Sequence, residues 1–271
     1  MTYAYDQGRI RRYDRGMTTP PVRAGHAPVM RKPVELWAYG IGLVLILSGI
    51  VHLGVFLVDD VPWAGPVSWR KPTTFGLSFG LTLITVAWIT RGLVLGDRAR
   101  AWLLGVFAAD CVLEVAGITM QAWRGVPSHW NTETPFDRGV AMSLAVGGAV
   151  LVAVLGAYAV TALRGRLAGP ADMRLAVRAG FALLLVSLAS GVAMIARGTV
   201  LFRTVSPQAA YDGGGFLKPV HGVALHAVLV LPLLAVFLRW LGRAEPERRR
   251  VMVVAVVLYV AATVGALPAS L

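Results

Sequence analysis

The chain has 271 residues, 56% of them hydrophobic and 15% charged, with a mean hydropathy of +0.66. Soluble domains carry nearer a quarter charged residues, so composition alone places this chain in the membrane class. The net charge of +12 would suggest nucleic acid in a soluble protein. Here the basic residues stand between apolar runs, where they set topology, and no nucleic-acid partner is expected.

Residues 1–34 carry Arg9, Arg11, Arg12, Arg15, Arg23, Arg31 and Lys32 among prolines and glycines. They read as a basic, disordered cytoplasmic tail ahead of a transmembrane domain at 35–271. The tail is a topology anchor able to rest on anionic headgroups, and it is too long and polar for the start of a signal peptide.

Seven apolar runs follow, each long enough to cross about 30 Å of hydrocarbon. They are Leu36–Val58, Thr73–Leu95, Ala101–Trp123, Gly139–Leu163, Leu175–Ala196, Pro219–Leu241 and Val251–Ser270. The predicted fold is therefore all-α, a polytopic bundle of seven transmembrane helices. With the N-terminus cytoplasmic, 19 of the 26 Lys and Arg residues fall in inner segments and 7 in outer ones. That bias sets the C-terminus outside and suits a multi-pass protein of the cell inner (plasma) membrane.

The first span holds His52, with Ser48 one turn below it. The second opens at Lys71 and carries Thr74, Ser78, Thr82 and Thr85 at helical spacing. This stripe reads either as close helix packing or as a cavity wall with Lys71 at its mouth. Lys71, Ser78 and Gln121 are the candidate substrate contacts.

On the third span Asp110, Glu114 and Gln121 recur on one helical face, with Gly117 between them. Two ionised carboxylates in mid-membrane are costly, so at least one is expected to hold a proton. Asp110 has a second reading, as a neutral hydrogen-bonding link between helices. Cys111 beside it reads as a small core residue.

The segment after this span, Arg124 to Asp137, is the densest in polar residues. Thr134 as N-cap, Pro135 at the first helical position and Asp137 two residues on predict the start of the fourth helix. Arg124, Ser128, His129 and Asn131 keep no local duty. With Asp110 and Glu114, the residues Arg124, His129 and Asn131 make up the catalytic candidates. The segment from Arg197 to Lys218 contains three consecutive glycines, so it reads as a lid or as a plain linker.

The sixth span holds His221 and His226, five residues apart and so on different faces, with Pro232 as a candidate kink. At 1.5 Å per residue His52, Glu114 and His226 fall roughly 9 to 13 Å below the same end of the bundle. If their helices are neighbours, His52, Glu114, His221 and His226 form a candidate metal set, and imidazole with carboxylate suits zinc or iron. The spacing matches no fixed metal signature.

Several pieces together resemble a family of multi-pass bacterial membrane proteins of uncharacterised activity. They are Lys71-Pro72 with Phe75 and Ser78; Glu114 through Gln121 with Arg124-Gly125; Ser128-His129-Trp130-Asn131; Thr134-Pro135-Phe136-Asp137; and His221-Gly222 with Leu225-His226. The likeness covers the first six spans and implies no activity. A looser similarity is to seven-span zinc hydrolases of the alkaline ceramidase type, in residue types (His52, Ser78, Asp110, His221, His226) but not in spacing.

Four functions remain open on these residues. The first is an outer-facing, metal-dependent or metal-free enzyme acting on a lipid or other hydrophobic small molecule. The others are a haem protein with His52 and His226 as axial ligands, a proton-coupled transporter using Asp110 and Glu114, and a non-catalytic scaffold. Membrane lipids are the expected partners, and the sequence leaves oligomeric state open.

Overall fold

The computed structural model describes residues 33–165 and 167–270. Almost all of the basic tail lies outside the described residues. Eight α-helices follow in order: α1 (Pro33–Val58), α2 (Arg70–Ile89), α3 (Asp97–Trp123), α4 (Pro135–Arg164), α5 (Ala171–Thr204), α6 (Pro207–Gly213), α7 (Lys218–Trp240) and α8 (Glu245–Gly265). Seven of them, all but α6, are long and apolar enough to cross a membrane. Among the described residues the sole strand-like pairing is an isolated bridge between Leu93 and Leu167. The chain is an all-α, seven-helix integral membrane protein.

Each predicted span falls on one of these helices, although α2 ends at Ile89 and α8 at Gly265, short of the predicted ends at Leu95 and Ser270. The main extension is in α5, which runs eight residues past Ala196. The stretch from Arg197 to Lys218 is accordingly not a plain linker. Its first part completes α5, and its middle forms α6, capped by Ser206 with Pro207 behind it. α7 continues through Pro232. The predicted start of α4 is present in detail: Thr134 is extended and its hydroxyl accepts from the Asp137 amide at 3.1 Å.

Hydrocarbon supplies no solvent-exclusion force between helices, so close packing must hold them together. α1 lies against α2 along Gly42 and Gly49 on one side and Gly76 and Gly80 on the other. A Cβ on Gly80 would stand 2.5 Å from the Gly42 carbonyl oxygen, and one on Gly76 would stand 2.7 Å from the Gly49 nitrogen. Only glycine allows that approach. α5 and α7 meet in the same way, with Gly180 against the backbone of Val228. The largest core cluster, including Leu83, Phe107, Tyr158, Phe181 and Leu184, joins α2, α3, α4 and α5. α2 and α3 are the most enclosed spans and α8 the least.

Ion pairs close the end where α1, α3, α5 and α8 begin. Arg248 donates to Asp172 at 2.9 Å, joining α8 to α5. Arg91 sits 3.4 Å from Glu35, and Arg100 donates to the carbonyls of Thr90 and Leu93. The opposite end carries the long polar segments and most of the residues singled out from sequence, Asp110 and Glu114 excepted.

Candidate functional site

At that opposite end, α3 finishes at Trp123 and the chain turns through Gly125, whose φ of +66° favours glycine. The turn brings Arg124 back over Asp137 at the start of α4. Asp137 accepts hydrogen bonds from Gln121 Nε2 at 2.9 Å, Arg124 at 2.5 Å and Thr134 Oγ1 at 2.6 Å. Arg124 also donates to Gln121 Oε1 and lies over the Phe136 ring at 4.7 Å. Gln121 is fully buried. Two of the sequence candidates, Arg124 and Gln121, thus belong to a saturated latch between α3 and α4. Asn131 shapes the loop, donating to Pro127 O and accepting from the Glu133 amide.

The histidines do not converge. His52 donates from Nδ1 to its own helix at Ser48 O, 2.7 Å away, while its Nε2 accepts from Trp123 Nε1 at 3.0 Å. Its ring stacks on Trp69, whose own indole N–H donates to Asp59. Both ring nitrogens are therefore occupied. His221 joins α7 to α5: Nδ1 donates to Ser187 O at 2.9 Å, and the Ser187 and Ser190 hydroxyls lie 3.2 Å from the same nitrogen. His226 faces outward from α7 and donates to Gly222 O. Among the described residues no three His, Cys, Asp or Glu side chains gather as a metal-ligand set. The expected set of His52, Glu114, His221 and His226 is conditional on neighbouring helices, and similar depth alone does not fix which way a helix face points.

His129 lies in the loop with Ser128 Oγ 2.9 Å from its Nδ1 and its ring beside Phe75 and Trp130. Burial, reinforced by the nearby Lys71 charge, pushes its pKa down to about 4. The ring therefore stays neutral across the physiological range. Tyr211 on α6 donates its hydroxyl to His129 O at 3.0 Å. Burial and the charge of Glu133 push that phenol up to about 12, so the donor is retained. Trp130, with φ +52°, fills a notch made by Gly198 and Gly214, where a Cβ on Gly198 would overlap the indole. These contacts seat α6 on the loop, which explains why the glycine run is packed instead of forming a free lid. Lys71 donates to Pro66 O at 3.0 Å and lies 5.9 Å from the Tyr211 ring centroid. Ser78 is half-buried on α2.

Asp110 and Glu114 stand apart from all of this, near the midpoint of α3. Both are buried, with 7% and 3% of their surface exposed. They point at Gly147, midway along α4. A Cβ there would stand 2.6 Å from Glu114 Oε1 and 2.8 Å from Asp110 Oδ1. The two carboxyls therefore share one small space, which a glycine keeps open. Asp110 Oδ2 is buried with no hydrogen-bond partner, and no ion pair or hydrogen bond joins either carboxyl to a described residue. Buried polar atoms in native proteins are nearly always partnered; Asp110 Oδ2 is one of six buried side-chain atoms without a partner among the described residues, and the one carboxyl oxygen of the six.

The signals missed in the sequence were Gly147, the Ser187/Ser190 pair and Tyr211. The serines sit at helical spacing and could have been matched to a histidine; a glycine in an apolar run carries no such mark. Comparison with family models, curated proteins and solved structures yields no match.

Proposed function

We propose that this integral membrane protein binds and releases a proton at the Asp110–Glu114 pair, midway through the bundle. The pair would serve proton-coupled movement of, or acid–base chemistry on, a lipid or other hydrophobic molecule of the cell membrane. The observation that carries the reading is the shared, hydrogen-bond-free space of the two carboxyls against Gly147. Two adjacent negative charges in a low-dielectric interior repel strongly and lose their hydration. One carboxyl holding a proton relieves the repulsion and supplies a donor where Asp110 Oδ2 has none. Intramembrane carboxyls in this state are the usual elements of proton relays. The haem reading loses support because both nitrogens of His52 are taken and His226 faces outward.

Infrared difference spectroscopy of purified protein, stepped from acidic to alkaline buffer, tests this. The expected result is a protonated-carboxyl C=O band at neutral pH that is lost in the Asp110→Asn/Glu114→Gln double variant. Wild-type protein without that band overturns the reading.

A second reading, an enzyme working at the loop end, is favoured by the neutral His129 beside Ser128. It would use the ring and hydroxyl as a proton-transfer pair. Ser128→Ala should then abolish turnover while leaving the carboxyl band in place.

A further inference from the structure

Three cations converge at the end of the bundle that is otherwise poor in basic residues. Only 7 of the 26 Lys and Arg residues lie in segments at this end, yet Arg70, Lys71 and Lys218 are close enough for their charges to oppose one another. Arg70 and Lys71 open α2, Lys218 opens α7, and these two helices pack together. The Lys218 side chain folds back over Gly215, where a Cβ would meet its Nζ. Among the described residues none of the three cations makes an ion pair. Of the carboxylates at this end, Asp59 is engaged with Trp69, Asp212 with Gln208 and Asp137 in the latch, while Asp60 and Glu133 make no ion pair with the three cations among the described residues.

Like charges held together without a counter-charge raise the free energy unless an anion joins them. The arriving N-termini of α2 and α7 add the positive ends of two helix dipoles to the same region. Both termini open helices long and apolar enough to cross a membrane. The neighbouring Tyr211 ring, its centroid 5.9 Å from Lys71 Nζ, gives the cluster an aromatic rim.

We propose that Arg70, Lys71 and Lys218 form a binding site for a phosphate group, the head of an anionic amphiphile being its source. The site is independent of the Asp110–Glu114 pair. A phosphate monoester carries about −1.5 to −2 charges near neutral pH, enough to offset most of the cluster. Amine and guanidinium donors match its oxygens.

The test is calorimetric titration of the full chain in neutral detergent with short-chain phosphatidic acid. Saturable binding is expected. It should weaken roughly tenfold or more in Lys71→Gln/Lys218→Gln, since one charge-assisted hydrogen bond is worth about tenfold in affinity. Lys218→Gln alone changes an exposed side chain and should still weaken binding. Arg250→Gln, exposed at the opposite end, should bind as wild type. Competing inorganic phosphate distinguishes the sources: failure to displace assigns the site to the lipid head, and displacement at equal concentration assigns it to the free ion. No saturable binding, or equal binding in Lys218→Gln and wild type, overturns the proposal.

Discussion

Two carboxylate sites lie on the same seam between α3 and α4, a single Asp137 and the Asp110–Glu114 pair, and their surroundings treat them oppositely. At the end of the seam Asp137 accepts from Gln121, Arg124 and Thr134, and its own amide donates to the Thr134 cap. Midway along it Asp110 and Glu114 both face the space beside Gly147, and Asp110 Oδ2 has no hydrogen-bond partner. A carboxylate with every oxygen satisfied is a structural fastening. One left unsatisfied in a low-dielectric interior is a place where a proton can come and go. The latch holds the helices together, and the pair in mid-seam has no comparable structural duty.

That contrast can be broken in four ways. Asp137→Ala removes the acceptor shared by three donors and strands Arg124 and Gln121. It should give the largest fall in unfolding temperature of the set, measured by thermal scanning in detergent, with the protonated-carboxyl band unchanged. Gly147→Ala should cost roughly 1–3 kcal/mol through overpacking and should also shift that band, because the new methyl displaces both carboxyl oxygens. An unshifted band would mean that the carboxyls do not share this space.

The third test concerns His129. Its pKa of about 4 in the folded protein lies below the ordinary value near 6.5. Between those two values the unfolded chain binds a proton that the folded chain does not, so stability should fall as pH drops from about 6.5 to about 4. Proton uptake by the carboxyl pair works in the other direction, so the measurement is the difference in unfolding temperature between wild type and His129→Asn across that window. Equal slopes would remove His129 from the account. The smallest structural effect is expected for Glu114→Gln, a change within about 1 kcal/mol, since an amide replaces a group able to share hydrogen bonds in the same space. Its effect on proton binding should nonetheless be complete, and an unchanged infrared band would remove Glu114 from the site.

Much of the fold is legible in the order of amino acids. Span length and hydropathy are local properties, and each of the seven predicted runs has a membrane-length helix over most of its length. The cap at Thr134 is legible for the same reason, because the N-cap hydroxyl and the amide it accepts from are three residues apart. α6 is hidden because it is short and polar, and its position depends on Trp130 fitting against Gly198 and on Tyr211 reaching His129 O.

The sequence by itself determined which residues carry ionisable chemistry and roughly how deep each one lies, because helical rise converts position into depth. Only the tertiary structure decided which of them are satisfied. Trp123 stands 71 positions from His52, Ser187 stands 34 from His221, and Gly147 lies on a different helix from the carboxyls it accommodates. Depth is set by rise along one helix. Partnership is set by the rotation and packing of two helices, which the close approach of small residues controls and the periodicity of either helix alone does not reveal.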